Sequence, residues 1–379
     1  MTRIYFVRHA ESYGNITRRA YGHFDGLVTP RGYKQIELLK KRFLNVHIDA
    51  VYSSDLTRAV ETAKAISSAH GLPVKTTPKL REILLGDWEE LPWGEIPSRF
   101  PEQHRNWVER PALFQAENGE NFHQVSKRMR EALEEIISEN EGRTVAVVSH
   151  SAALRALINS IKNGGKLKEL EKAPRGDNTC VSLFEYDNGN YKEIFLNDNS
   201  HLADMSVFGD ELRWTEERKK LGKNLRFELA SLPKDTERVR TYYSLAWHDV
   251  FGDDISDIRA VDRKVKSALR RDEKAVAFGI NNAGDAGMIV CDPGARVCKD
   301  AGHISCIYVK PEYRRLGYGI QLIGHAMSNY AGEGKKFLSI RVSQKNTAAC
   351  EFYKKYGFFE DHREQDGDTV QIVMLLKIA

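Results

Sequence analysis

The chain has 379 residues, more than one hydrophobic core usually serves, so two domains are expected. Its 41% hydrophobic and 29% charged residues are those of a soluble globular protein. Its net charge of +4 is spread along the chain, which suits small anionic substrates and gives no specific signal for nucleic acid. Five cysteines, an odd number with no CxxC pair, argue against a disulfide framework or a zinc site and for a reducing, cytoplasmic compartment.

Cys291 and Cys298 flank a Pro-Gly turn, but no disulfide is expected between them. No apolar run reaches membrane-spanning length, and a strand that starts at Arg3 is expected to leave no room for a secretory leader.

In chain order, Ile4 to Val7 is a short apolar run that stops at Arg8-His9, a buried strand by pattern. A loop rich in charge and glycine follows, from Asn15 through Arg18, His23 and Gly26. Thr29-Pro30 then opens a helix, with Thr29 as N-cap and Pro30 at its first position. Ala50–Ser53 is the next strand, and it passes through Asp55 and Arg58 into a helix. Val74–Thr76 is a short strand, and 80–89 a loop that holds Glu82. Phe122 to Ile137 is amphipathic at helical spacing. Thr144–Ser149 is a strand that ends in His150, and a helix starts at Ser151. Cys180–Tyr186 and Tyr191–Leu196 form a hairpin.

Strands alternate with helices, so a mostly parallel α/β sheet is expected. Arg8-His9, Arg58 and His150 then all fall at the carboxyl ends of strands, where open α/β sheets bind ligands. A phosphoryl group carries negative charge on three outer oxygens, and two guanidiniums can clamp it bidentately. The same guanidiniums lower the pKa of a neighbouring imidazole, which keeps His9 neutral and nucleophilic. His150 can donate to the same oxygens. The leaving alkoxide needs a proton, and Glu82 is the candidate acid if burial holds its proton near neutral pH. Glu89 and Glu90 are its close rivals in sequence.

These pieces resemble the histidine phosphatase, or phosphoglycerate mutase-like, superfamily. Val7-Arg8-His9-Ala10-Glu11-Ser12 with Asn15, Ser54 to Ala59, Leu80-Arg81-Glu82, Val148-Ser149-His150 and Asn197 to Leu202 stand in family order. The resemblance covers about residues 1–202 and implies a three-layer α/β/α domain. It implies that His9 is phosphorylated, that Glu82 is the general acid, and that Arg8, Asn15, Arg58 and His150 bind the phosphate. No metal or cofactor is implied. Ala10, Ser151 and Leu91 depart from common family glycines, outside the chemistry. His201 is expected to be structural. The segment 83–118 is short for a glycolytic mutase and lacks its motifs, so a hydrolase of small phosphomonoesters is the expectation.

Residues 203–224 read as a linker or charged helix. Beyond them, Leu225–Ala230, Ala275–Ile280, Ala286–Cys291, His303–Val309 and Phe337–Val342 are strands. Helices are expected over 235–251, 261–269, after Gly319, and over 346–356. In the turn after Val309, Arg314, Gly317 and Gly319 let backbone N–H groups and a helix N-terminus meet an anion.

With Ile307 to Arg314 before it, and Asn346, Phe352-Tyr353 and Tyr356-Gly357-Phe358 after it, this turn resembles the acyl-CoA motif of the GNAT acetyltransferases. The resemblance covers 225–379 and implies an α+β acyl-CoA N-acyltransferase domain that takes acetyl-CoA and an amine acceptor. Val309, Arg314, Arg315, Gly317, Tyr318, Gly319 and Asn346 would hold the cofactor. Tyr353 would be the acid for the departing thiolate and His303 a base for the amine. The expected whole is a bifunctional enzyme; the rival is a phosphatase whose second domain only senses acetyl-CoA.

Overall fold

The computed structural model describes residues 1–205, 215–253, 255, 257–367 and 369–379. The chain divides into two compact units. One comprises Met1–Tyr13, Ala20–Leu91 and Ile96–Thr215; the other comprises Gly14–Arg19, Pro92–Glu95 and Glu216–Ala379. The short segments 14–19 and 92–95 thus group with the second unit, a division finer than one cut in the sequence. Much of the expected linker, 206–214, lies outside the described residues; Glu216–Leu221 is helical.

The first unit is built on β1 (Thr2–Arg8), β2 (Ala50–Ser53), β3 (Val74–Thr76), β4 (Thr144–Ser149), β5 (Val181–Asp187) and β6 (Asn190–Asp198). Their order is β3-β2-β4-β1-β5-β6. β1 to β4 are parallel, whereas β5 and β6 run antiparallel on one edge. The last two are joined by Asn188 and Gly189, with φ of 46° and 86°, as a two-residue hairpin turn demands.

The helices of this unit are α1 (Tyr13–Thr17), α2 (Pro30–Phe43), α3 (Thr57–His70), α4 (Ile96–Arg99), α5 (Pro101–Glu109), α6 (Phe122–Glu139) and α7 (Ser151–Lys162); α1 lies mostly in the segment that groups with the second unit. Thr29 caps α2, its hydroxyl accepting from the Gly32 N–H at 2.9 Å. α2 and α3 bury Leu39, Phe43, Ala63 and Ile66 against Val7, Val51, Ala146 and Val148. Ile4 and Phe6 point to the opposite face of β1 and are buried as well. Both faces of the sheet are therefore covered, as parallel strands require. Each of these large side chains contributes about 1.5–3 kcal/mol on burial.

The second unit is a seven-stranded sheet in the order β12-β13-β11-β10-β9-β8-β7. Its strands are β7 (Arg226–Leu229), β8 (Val276–Asn281), β9 (Gly284–Asp292), β10 (Ala301–Val309), β11 (Phe337–Ser343), β12 (Phe359–Asp366) and β13 (Thr369–Lys377). Only β10 and β11 are parallel neighbours. Helices Thr236–Phe251 and Ile258–Arg271 cover one face, and helix Tyr318–Gly332 the other. Adjacent β8 residues show this: Phe278 packs on Tyr242, with ring centroids 5.9 Å apart, whereas a Cβ on Gly279 would meet Leu322. Among the described residues no helix is long and apolar enough to cross a membrane.

Candidate active sites

Parallel pairing of β1, β4 and β2 sets Arg8 beside Ser149, and Ser53 beside Val148 one residue earlier, at one end of the sheet. His9 and His150 follow directly, and Arg58 stands in the first turn of α3, which starts at Thr57 just after β2, so three distant stretches of sequence meet. The His9 and His150 rings lie 5.0 Å apart, centroid to centroid.

His9 is only 5% exposed. Its Nδ1 lies 2.7 Å from the Ala10 carbonyl. A carbonyl only accepts, so Nδ1 carries the proton and Nε2 keeps its lone pair. Burial, then Arg58, then Arg8 hold the pKa of His9 well below 6.5. The backbone around it is fixed. Ala10 N–H donates to Thr62 Oγ1 at 2.8 Å, and the His9 carbonyl accepts from Asn178 Nδ2 at 2.9 Å.

His150 is fully buried, and neither ring nitrogen has a hydrogen-bond partner among the described residues. Two bare polar atoms in a buried ring are costly unless something else meets them. Burial, Arg58 and His9 lower its pKa strongly too.

Arg58, 1% exposed, donates to the carbonyls of Phe24 and Gly22, each at 2.7 Å. Arg8 donates from Nη1 to the Gly176 carbonyl at 2.6 Å, and its Nε is buried without a partner among the described residues. Both guanidiniums are lowered in pKa by burial, and both lie close enough to Glu82 for it to oppose that shift.

Glu82, 8% exposed, stands at the N-terminus of α7. Its Oε1 accepts from Ile83 N at 3.0 Å and Ala153 N at 2.8 Å; its Oε2 accepts from Ala152 N at 3.0 Å. It therefore supplies the cap that His150, at the N-cap position, does not. Oε2 keeps one lone pair free of N–H donors. The Glu82 carbonyl is held by Arg128 Nη2 at 2.7 Å and by His23 Nε2 at 2.9 Å. His23 is thus a brace for the loop, and its pKa is lowered, chiefly by burial.

Glu89, a rival acid in sequence, is an anchor instead. It accepts from four backbone N–H groups, those of Gly22, His23, Phe24 and Leu85, at 2.8–3.1 Å. That carboxylate pins the turn whose carbonyls hold Arg58. A Cβ on Gly22 would lie 2.3 Å from Glu89 Oε1, so no side chain fits there. Asp25 caps α3 through Thr57 N–H at 2.8 Å.

His201 receives Arg42 Nη1 at 3.2 Å and sits 3.1 Å from Thr179 Oγ1. Burial and Arg42 lower its pKa to about 4, so it is a neutral hydrogen-bonding ring. Asn15 lies on α1, in the segment that groups with the second unit. Arg128, the Glu120 that pairs with it at 2.7 Å, Asn178 and Asp25 are not among the residues the sequence singles out. Their only signal was a polar turn or an arginine on a helix face, which every surface has.

In the second unit, β10 pairs with β11 only from Ala301 to Ile304, yet with β9 as far as Val309. A bulge between Ile304 and Cys306 marks the change. The edge of β10 from 305 to 309 is left without β11, beside the start of helix Tyr318–Gly332. Gly317 caps that helix with φ 80° and Arg315 has φ 64°. The first N–H groups of the helix have no intrahelical acceptor.

Arg314 is engaged by the Val309 carbonyl, 2.9 Å from Nε, and by Asp249. Tyr318 is 1% exposed, and its hydroxyl donates to the Gly222 carbonyl at 2.6 Å. Only its backbone can face a cofactor. A Cβ on Gly319 would meet the Phe352 ring at 3.0 Å. Asn346 caps helix Thr347–Lys355, accepting from Ala349 N at 3.1 Å, so its side-chain oxygen is already used.

Tyr353 is buried against Phe358, and burial with Cys306 and Cys350 nearby raises its pKa. It keeps its proton, as a donor to a thiolate must. His303 is less suited to the expected base role. Its Nδ1 is 3.1 Å from Ser339 Oγ, and burial, with Arg341 and Lys264, lowers its pKa to about 4. Such an imidazole is a poor proton acceptor near pH 7. Tyr243, whose hydroxyl lies 3.4 Å from Ser305 Oγ, is a further polar group at β10 that sequence did not single out.

Among the described residues one group has metal-ligand chemistry: Cys298, Asp361 and His362, with ligand atoms within 4.8 Å of one another. Hydrogen bonds to Asp361 and Glu364 raise the pKa of His362, which opposes the neutral ring a metal needs. Cys291 and Cys298 are both free thiols.

Residues 4–199 match the model of the histidine phosphatase superfamily (branch 1), and residues 237–358 match that of the acetyltransferase (GNAT) family. Phosphoserine phosphatase 1 of Hydrogenobacter thermophilus is 36% identical over 157 residues, 41% of this chain and 74% of its own. A Yersinia pestis protein named "Probable phosphoglycerate mutase GpmB" is 31% identical over 186 residues, 49% of this chain and 86% of its own. Among solved structures, Bacillus stearothermophilus YhfR matches 53% of this chain and 100% of its own, at 33% identity and a TM-score of 0.51.

Proposed function

The chain belongs to the histidine phosphatase superfamily (branch 1), and on that premise we propose that it hydrolyses a small phosphomonoester through a phosphohistidine on His9. One observation carries the reading. A neutral His9 with Nδ1 anchored and Nε2 free sits beside His150, whose two ring nitrogens have no partner among the described residues, close to Arg8 and Arg58.

His9 Nε2 attacks phosphorus while the P–O bond to the alcohol breaks. Arg8, Arg58 and His150 stabilise the oxygens as charge redistributes. Glu82 hands its proton from Oε2 to the departing oxygen, giving the free alcohol. Water then attacks the phosphohistidine, Glu82 takes its proton back, and phosphate leaves. Three further groups set the geometry: Glu89 through the Arg58 turn, and Arg128 and His23 through the Glu82 carbonyl.

The shortness of 83–118, which forms α4, α5 and two single 3₁₀ turns, supports hydrolysis over mutase transfer. The test is turnover of p-nitrophenyl phosphate in excess chelator. Wild type is expected to be active and His9→Ala inactive but folded. Activity retained in His9→Ala ends the proposal.

The same reading assigns the second unit acetyl-CoA binding and acetyl transfer to an amine. The opened edge of β10, the Gly317 cap and the buried Tyr353 hydroxyl support it. GNAT domains use acetyl-CoA. The pyrophosphate would lie on the amides of Arg315 to Gly319, and Val309 beside the pantetheine. Free thiol release over an amine panel separates an enzyme from a sensor. Binding without transfer to any amine favours the sensor.

A further inference from the structure

Beside the histidine pair the first unit has a cavity of about 490 Å³. It runs along one face of α7, past Ser151, Leu154, Arg155, Ile158 and Asn159, the spacing of a single helix stripe. Its inner end is Arg8, the same guanidinium that serves the phosphate pocket. Its other wall is the segment 168–176, which Arg155 ties down through Nε to the Ala173 carbonyl at 3.1 Å.

Two features mark it as a place for an anion on an apolar body. Leu154, Ile158, Leu196 and Pro174 give it an apolar lining, while Arg8, Arg155, Lys162, Lys168 and Lys172 surround that lining with positive charge. Glu169 is its one carboxylate, and it is paired with Lys172. Lys162 reaches Glu193, but the Lys168 ammonium makes no ion pair among the described residues. Burial, and then repulsion by Arg175, which lies near both Arg8 and Arg155, lowers the pKa of Arg155 to about 10. Arg8 Nε, buried and without a partner among the described residues, is a spare donor at the inner end.

Lys168 is placed by the backbone and not by its own charge. Its N–H donates to Asn159 Oδ1 at 2.9 Å, and its carbonyl accepts from Asn159 Nδ2 at 2.8 Å. Asn159 lies eight residues along α7 from Ser151, about 12 Å at 1.5 Å per residue.

We propose that this cavity holds the alcohol part of the substrate, so that the phosphomonoester carries a second acidic group, a carboxylate or another phosphate, on an apolar spacer. The phosphate sits between His9 and Arg8, the spacer lies along Leu154 and Ile158, and the distal anion meets Lys168 near Asn159. This inference rests on the phosphatase reading above.

The probes are non-hydrolysable alkyl phosphonates and ω-carboxyalkyl phosphonates of matched length, titrated calorimetrically into the full chain. The carboxylate is expected to tighten binding about tenfold, with the largest preference in chains that span about 12 Å. Lys168→Ala is expected to erase that preference, and Lys168→Arg to keep most of it. Equal affinity of the matched pair at every length overturns the proposal, as does a preference that survives in Lys168→Ala. Turnover of p-nitrophenyl phosphate by wild type is scored separately. Its loss condemns the phosphatase reading, whereas its presence with no carboxylate preference condemns the subsite alone.

Discussion

Glu89→Gln is the sharpest perturbation that leaves the reacting groups in place. The carboxylate accepts two N–H groups on each oxygen: His23 and Leu85 on Oε1, Gly22 and Phe24 on Oε2. An amide can accept at one end only, and its NH₂ faces two donors. Two hydrogen bonds to a charged group are lost, at roughly 1.5–3 kcal/mol each, or roughly 3–6 kcal/mol at most, since water reaches this partly exposed side chain. The freed turn is the one whose carbonyls fix Arg58. A shift of about 1 Å in such a clamp lowers catalysis on the order of 100-fold. Two readouts follow. Hydrogen exchange of amides 22–24 is expected to lose protection, and kcat/KM for p-nitrophenyl phosphate to fall about 100-fold. Unchanged exchange with kcat/KM within about twofold of wild type would refute the anchoring role. Lost kcat with full protection would make Glu89 the proton donor in place of Glu82.

Three further outcomes are expected. Because burial and two guanidiniums keep His9 neutral, the acid limb of kcat/KM, corrected for substrate ionisation, falls well below pH 6.5, and Arg58→Gln moves it upward; a wild-type limb at 6.5 contradicts this. His325 is buried and its pKa is lowered to about 4, so its share of stability is complete above pH 6.5 and is lost as pH falls toward 4. The slope is about 1.4 kcal/mol per pH unit, and denaturation between pH 6.5 and 4.5 should be flatter by that amount in His325→Gln. At Gly317 an added Cβ meets nothing within 4 Å, so Gly317→Ala costs only backbone strain, about 1–2 kcal/mol at φ 80°. If the free loop relaxes that strain, acetyl-CoA binding weakens by about 5- to 30-fold in titration calorimetry; unchanged affinity separates the turn from the cofactor.

The meeting of Arg8, His9 and His150 could be read from sequence because strand ends are visible there. An apolar run stopping at Arg8-His9 or at His150 locates a side chain in space once the strands are parallel. What surrounds these residues could not be read. Glu82 and Glu89 are the same kind of residue within eight positions, and the difference shows only in the hydrogen bonds: four backbone N–H groups on Glu89, three on Glu82 with one Oε2 lone pair left. Arg128 is one of many arginines on a helix until its hydrogen bond to the Glu82 carbonyl is seen. In the second unit β13, an apolar run, and β12 are both absent from the expected strands; Phe359–Asp366 is polar and almost entirely exposed. It is an edge strand without the alternation that marks a half-buried one. Tyr318 and Asn346 matched a cofactor motif in sequence, but their side chains serve the fold, one packed against the chain at Gly222 and the other capping a helix.

The proposed hydrolysis passes through a covalent bond between phosphorus and His9 Nε2. Rapid acid-free quenching during turnover of a ³²P-labelled phosphomonoester, followed by peptide mapping, tests it directly. An acid-labile, base-stable label is expected on the peptide that contains His9, absent in His9→Ala and longer-lived in Glu82→Gln. Steady turnover with no label on that peptide, or a label on another residue, would contradict it.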